Sequence, residues 1–167
     1  MKEHFVMMAN YNAWANARVM AAATRLTPAQ FVEPLAGAGS LRDILVHTAG
    51  AEWIWFQRCL GHSPRSFWNP DDFPDVATLR QRWDETMAIS SDFIAGLHEA
   101  DLDRIVAYTN AREEDWAYPL WEALLHQANH ATQHRSEAAI LLTRCGQSPG
   151  DLDYLIYLDG LRGRDRR

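Results

Sequence analysis

Hydrophobic residues recur every three or four positions along most of the chain, which is the repeat of one face of an α-helix. The first such stretch covers 5–26, and we expect it to stop before Pro28, because proline fits only the first turn of a helix. A second stretch begins at Ser40, whose side chain can cap a helix together with Asp43, and ends near Gly61. The loop between the two stretches contains Pro34, Gly37 and Gly39.

Two further long stretches show the same repeat. The first covers 76–97 and follows a loop of about a dozen residues. The segment 105–108 can form a short extended piece, and the next helix covers 119–145, with Gly146 as a typical stop. A short final helix opens at Pro149. The loop before the first of these stretches contains Pro64, Pro70 and Pro74.

Four long amphipathic helices need a common interior for their hydrophobic faces. The pattern therefore predicts an all-α protein, a four-helix bundle with a long crossover between its second and third helices and a short C-terminal helix. The chain lacks a regular alternation of strand and helix patterns, which argues against an α/β fold. At 167 residues it is long enough for one hydrophobic core, and we treat 1–167 as a single domain.

The composition is that of an ordinary soluble protein, with 47% hydrophobic and 23% charged residues. Its net charge of −6 argues against nucleic acid or an anionic membrane as a partner, since either requires a basic face. The N-terminal segment lacks the apolar run of a signal peptide, and no apolar stretch is long enough to cross a membrane. The two cysteines, Cys59 and Cys145, suit free thiols in a reducing compartment, so we expect a cytoplasmic protein.

Three histidines lie four residues apart in the last long helix, at His126, His130 and His134. Neighbours at this spacing share one helix face about 6 Å apart, so either adjacent pair can bind one metal ion. All three cannot easily do so, because the outer two lie about 12 Å apart along the axis. A third ligand must come from another helix, and His47 is the best candidate, since it interrupts the hydrophobic face of the second helix.

Two imidazoles from one helix and one from another would leave a coordination position open for water. Such a set suits Zn²⁺ or Ni²⁺, with Fe²⁺ or Mn²⁺ as alternatives. Metal affinity is then expected to fall as the pH drops through about 6.5, since only a neutral imidazole binds metal. Spacing alone also leaves open an ordinary structural role for these histidines, in which their ring nitrogens are simply hydrogen-bonded.

Five segments together resemble the DinB/YfiT-like superfamily of metal-binding four-helix-bundle proteins. YNAWAN at 11–16 resembles the opening motif of that family, and LVH at 45–47 with AEWIW at 51–55 resembles its second helix. NHATQHR at 129–135 resembles its asparagine–histidine–threonine–histidine–arginine motif, and DLDYL at 151–155 resembles its closing short helix. The resemblance extends over nearly the whole chain, and the order of the segments makes it fairly specific.

This resemblance implies that His47, His130 and His134 are the metal ligands. It also implies a metal-dependent S-transferase or isomerase that uses a small thiol such as glutathione, bacillithiol or mycothiol. The alternatives are a metal-dependent hydrolase and a non-catalytic, stress-associated metal-binding protein. Relatives often form homodimers, and the seven tryptophans favour one here, because they add hydrophobic surface beyond what one bundle interior readily covers.

The sequence allows more than one role for several residues near the NHATQHR motif. Many relatives carry glycine and glutamine where this chain has Ser136 and Glu137. Glu137 can place a carboxylate beside the metal or be a solvated helix residue, and Glu52 is a second candidate for support of a ligand. Arg135 can hold an acidic cofactor or form a structural salt bridge. His126 is expected to line the site without binding the metal.

Overall fold

Four long helices form the body of the protein in a computed structural model that describes residues 1–34 and 39–164. They are α1 (Lys2–Ala23), α3 (Leu41–Cys59), α4 (Val76–Gly96) and α5 (Leu120–Arg144). Helices α1 and α3 each pack against both α4 and α5. The predicted all-α four-helix bundle is therefore confirmed. None of the described helices combines the length and the apolar character needed to cross a membrane.

The hydrophobic faces predicted from the sequence meet in one elongated interior. At one end it contains the fully buried side chains of Val19, Leu45, Leu79, Trp83 and Leu142. At the other end Phe56, Ile94 and Leu124 pack together. Burying a side chain of this size contributes about 1.5–3 kcal/mol, so these contacts supply the main driving force for folding.

The segment after α1 differs from the predicted loop. Helix α1 ends at Ala23, and a short helix α2 (Pro28–Val32) follows. The hydroxyl of Thr27 accepts from the Gln30 backbone N–H, and the Gln30 side chain accepts from the Thr27 N–H in return. This reciprocal cap, with proline in the first turn, makes the segment helical. The predicted loop position Gly37 lies outside the described residues.

The start of α3 and the crossover that follows it agree with the sequence prediction. The Ser40 hydroxyl accepts from the Asp43 N–H at 3.1 Å, and the Asp43 carboxylate accepts from the Ser40 N–H at 3.0 Å. After α3 the chain passes over the bundle to α4 through one turn of 3₁₀ helix at Pro70–Asp72. Phe73 is buried against the core, which holds the crossover in place.

A β-hairpin precedes α5, where the sequence indicated only one extended piece. Strand β1 (Ile105–Thr109) pairs antiparallel with β2 (Asp115–Pro119), and both strands lie against α5. In the turn, the Asn110 side-chain oxygen accepts from the backbone N–H groups of Arg112 and Glu114. Glu113 has φ +63°, in the left-handed region that glycine normally occupies.

In the C-terminal part, the predicted end of the last long helix is confirmed, and the final short helix begins later than predicted. Helix α5 is followed by Gly146 with φ +74°, the conformation for which glycine is suited. The last helix, α6 (Tyr154–Leu161), begins five residues after Pro149. Its start is set by Asp153, whose carboxylate accepts from the Leu155 backbone N–H at 2.7 Å.

Candidate metal centre

The packing of α3 against α5 brings three histidines together. The Nε2 atoms of His47 on α3 and His130 on α5 lie 3.2 Å apart. The ring centroid of His134, one turn along α5, lies 4.6 Å from that of His47 and 4.4 Å from that of His130. One potential ligand atom from each residue lies within 4.8 Å of the other two. These are the three residues that the sequence singled out.

His126 lies next to this group without joining it. Its ring centroid is 5.9 Å from that of His130 and 4.7 Å from that of Trp55. Spacing alone left two adjacent pairs open on α5, and the geometry places His130 and His134 with His47. His126 instead lines a neighbouring cavity, as expected from the resemblance.

Glu137 orients one of the three imidazoles. The Nδ1 atom of His134 lies 2.7 Å from a carboxylate oxygen of Glu137, one turn along the same helix. An ionised carboxylate accepts hydrogen bonds and cannot donate them. The hydrogen bond therefore assigns a proton to Nδ1, and Nε2 is the nitrogen of His134 that is available to a metal. Such a carboxylate partner fixes the ring and increases the basicity of its free nitrogen. Of the two roles left open for Glu137, the structure supports the carboxylate near the site.

Burial and neighbouring imidazoles lower the pKa values of His47 and His130. Desolvation, followed by the neighbouring His134 and His47, lowers the pKa of His130 to about 4. The pKa of His47 is also lowered, first by desolvation and then by His134. A metal ion needs the neutral form of a ligand imidazole, so these two rings need little deprotonation before they bind a metal at neutral pH.

The donor set fits a divalent metal with an open position. Among the described residues, the group of potential ligands consists of three imidazoles, with no carboxylate or thiol as a fourth member. His47 is the most solvent-accessible of the three, and its ring stacks on that of Phe67 with centroids 5.8 Å apart. Structural zinc sites are normally closed by four protein ligands, so this set resembles a catalytic or ligand-binding site.

A cavity of about 310 Å³ lies beside His126. Helices α3 and α5 and both strands of the hairpin contribute to its wall. It is mainly aromatic, with one carboxylate, and its volume suits a small organic molecule. Its lining residues are Trp55, Tyr108, Tyr118, Glu122, Ala123 and His126.

Glu52 does not support a metal ligand, which corrects the sequence prediction. Its buried carboxylate accepts from Trp83 Nε1 at 3.0 Å and from the Ser90 hydroxyl at 3.1 Å, both on α4. Desolvation raises the pKa of Glu52, although these two hydrogen bonds act in the opposite direction. Five residues beyond His47 on a helix is more than one full turn, which points this side chain toward α4.

Arg135 forms hydrogen bonds instead of the salt bridge considered for it. It is buried, and its guanidinium donates to the side-chain oxygens of Asn12 at 2.9 Å and Asn16 at 3.1 Å. A third hydrogen bond goes to the Thr132 hydroxyl at 3.1 Å. No carboxylate of the described residues lies within salt-bridge distance of it, and Glu52 acts on it only through its charge at longer range. Sequence reasoning missed this network, although Asn12 lies within the hydrophobic face of the first helix and was a usable signal.

Comparison with known proteins shows the family of this chain and a similarity to solved structures. The sequence model of the DinB family matches residues 1–165. The fold is similar to that of YfiT from Bacillus subtilis, described as a probable metal-dependent hydrolase with an unusual four-helix bundle topology. The TM-score is 0.62 at 16% sequence identity, and the match covers 88% of this chain and 89% of YfiT. No curated protein matches the sequence.

Proposed function

Because the chain belongs to the DinB family, we propose that His47, His130 and His134 hold one divalent metal ion. Zn²⁺ and Ni²⁺ are the first choices and Fe²⁺ and Mn²⁺ the alternatives, since imidazole suits all four and binds the later metals more tightly. The observation that carries the proposal is the approach of three ligand atoms to within 4.8 Å of one another. The accessibility of His47 leaves room for a further ligand from solvent.

We propose that the protein is a metal-dependent thiol S-transferase or isomerase. When bound, a divalent metal with an open position favours the thiolate form of a small thiol, and the thiolate is the nucleophile. In a transfer, the sulfur forms a bond to an electrophilic carbon, whose leaving group departs with the bonding electron pair, while the thiol proton passes to solvent. A thiol of the glutathione, bacillithiol or mycothiol type fits this scheme.

The chain's own cysteines favour an external source of the thiol. Cys59 is buried, and burial raises its pKa to about 12, so it remains a protonated, inert thiol at neutral pH. Cys145 follows the last residue of α5, eleven residues and about three helical turns beyond His134. A nucleophilic thiolate at the histidines would therefore have to enter from solution. The aromatic cavity beside His126 supplies a place for the apolar part of the second substrate.

A metal-dependent hydrolase is the second candidate. The description of YfiT as a probable metal-dependent hydrolase favours it, together with the similar fold. A metal with three imidazole ligands lowers the pKa of bound water toward about 7, which yields a nucleophile at neutral pH. Both candidates share the same three histidines and differ in whether sulfur or oxygen attacks.

The experiment begins with metal analysis of the purified protein. We expect about one equivalent of metal in the wild type and none in His130→Ala, while His126→Ala keeps its metal. The metal-loaded protein is then screened with the three thiols against model electrophiles, and with ester and amide substrates without thiol. Consumption of thiol that needs metal supports the transferase, and metal-dependent hydrolysis without thiol supports the second candidate. Metal binding without either activity would leave the non-catalytic, stress-associated alternative.

We also propose that the protein is a cytoplasmic homodimer. Exposed hydrophobic side chains on α5, Leu125 and Ile140, and on β2, Trp116, provide surface that a second copy can cover. The free thiols of Cys59 and Cys145 suit a reducing compartment. Sedimentation at micromolar concentration is expected to give about twice the chain mass of 19.1 kDa. A single species of the chain mass would contradict the dimer.

A further inference from the structure

Arg58 is a buried cation that has no anionic partner among the residues described by the structure. It lies on α3, eleven residues and about three turns after His47, and is only 8% exposed. Its guanidinium lies 3.8 Å from the ring centroid of Tyr108 and 4.8 Å from that of Trp55. Within the described parts of the chain it forms no hydrogen bond or ion pair, and its Nε is buried without a partner.

This arrangement is costly unless something else completes it. Buried charged groups are normally paired, and buried N–H donors are normally hydrogen-bonded. The two aromatic rings hold the guanidinium plane through cation–π contacts, but a ring face satisfies no N–H donor in the guanidinium plane. The side chain is therefore fixed in position while its donors remain free for an acceptor from outside the chain.

A cavity of about 180 Å³ lies against Arg58 and carries two more arginines, Arg65 and Arg112. None of its described lining residues is acidic, although the whole chain has a net charge of −6. Arg65 is paired with Glu113 at 3.2 Å, but both side chains are more than half exposed, so this pair is weak and can rearrange. The described lining residues are Ile54, Arg58, Pro64, Arg65, Phe67, Asn110, Ala111 and Arg112.

The cavity adjoins the histidine group through one side chain. Phe67 lines the cavity, and its ring stacks on that of His47 with centroids 5.8 Å apart. A molecule with one end in this cavity can therefore extend past Phe67 to the three histidines. The volume of about 180 Å³ suffices for an acidic group and a few attached carbon atoms.

We propose that Arg58, with Arg65 and Arg112, binds an oxyanion, a carboxylate or phosphate group, on the molecule that reacts at the histidines. The planar guanidinium presents two parallel N–H donors, which match the two oxygens of such a group. The assignment of the anion to a reacting molecule rests on the proposed function. Anion binding itself does not, because it needs no metal.

The test uses the metal-free protein, prepared with a chelator, and isothermal titration calorimetry at low ionic strength. Succinate and inorganic phosphate are titrated separately into the wild type, Arg58→Gln and Arg80→Gln. Arg80 is the matched control, since it is an exposed arginine on α4 that pairs with Asp84. We expect saturable binding of at least one anion, weakened about tenfold or more by Arg58→Gln and unchanged by Arg80→Gln. The anion that binds identifies the acidic group.

Two results would overturn the proposal: binding of neither anion, or equal binding to the wild type and Arg58→Gln. If Arg58→Gln fails to fold, Arg112→Gln replaces it, because Arg112 is exposed. Arg112→Gln must then weaken the same anion, and unchanged affinity counts against the pocket. Metal content is measured on parallel samples, so anion binding without metal binding separates failure of the proposed function from failure of this inference.

Discussion

The lowered pKa of His130 makes a quantitative prediction about metal affinity and pH. Three imidazoles of ordinary pKa, about 6.5, would each lose about tenfold in their neutral fraction between pH 7.5 and pH 5.5. Together they would weaken metal binding about 1,000-fold. The pKa of His130 is about 4, so this ring stays neutral throughout that interval and loses almost nothing.

Because His130 contributes almost none of its tenfold factor, the expected loss is about tenfold smaller than this 1,000-fold reference. The pKa of His47 is lowered as well, which reduces the expected loss further. The sign follows from the direction of the shifts. Protons compete with the metal for an imidazole mainly below the pKa of that imidazole in the folded protein. A lowered histidine pKa therefore moves this competition to lower pH. The earlier expectation of a fall near pH 6.5 therefore shifts downward.

The measurement is a competition titration of Zn²⁺ against a chromophoric chelator whose own pH dependence is known. The dissociation constant is determined at half-unit steps from pH 7.5 to pH 5.5 at constant ionic strength. His62→Ala is the matched control, because it removes an exposed imidazole outside the group of three. A loss near 1,000-fold would refute the reasoning, since it would mean that all three ligands titrate like histidines in water.

Three further predictions concern glutamates at other points of the structure. Glu137→Ala removes the carboxylate that holds His134 Nδ1 and should weaken metal binding by about 10–100-fold in the same titration. Glu113→Gly relieves the positive φ of +63° and should raise the free energy of unfolding by about 1 kcal/mol in urea, while a loss would contradict a strained turn. Glu52→Gln keeps one side-chain oxygen that can accept from Trp83 Nε1 and places its NH2 group beside the Ser90 hydroxyl, which can accept from it, and the amide cannot ionise. Because the pKa of Glu52 is raised in the folded protein, the wild type loses stability as the pH rises above about 4.5. The free energy of unfolding of Glu52→Gln should therefore increase relative to that of the wild type from pH 4.5 to pH 8. The expected difference is about 1.4 kcal/mol for each unit by which the Glu52 pKa differs between the folded and unfolded states. Parallel urea-stability curves for the two proteins would contradict it.

The sequence predicts those parts of the fold that depend on residues close together in the chain. The cap formed by Ser40 and Asp43 is complete within four residues, and Gly146 marks the end of α5 by its own conformational freedom. The second strand was missed because DWAYP at 115–119 has no alternating burial pattern, and its three leading residues are exposed. Its strand conformation depends on pairing with β1, which is a contact between segments and leaves little trace in either one.

In the candidate site, too, the residues with a local sequence pattern were predicted, and a residue that depends on distant contacts was not. The four-residue spacing of His130 and His134 places them on one helix face, and His47 was recognisable as a polar break in a hydrophobic face. Arg58 gave no comparable signal, since an arginine near the end of a helix is ordinary. Its burial depends on Tyr108, which lies fifty residues later on the hairpin. Only the folded chain brings the two together.

The hydrogen bonds of Arg135 to Asn12 and Asn16 determine how α5 is rotated about its own axis. The close-packed hydrophobic side chains constrain the rotation of the helix, and these directional hydrogen bonds add a second constraint. Consecutive helical residues point about 100° apart, so a turn of α5 by one residue would break these bonds and swing His134 away from His47. This polar contact between α5 and α1 therefore helps to keep α5 in the rotation at which its histidine side chains face α3.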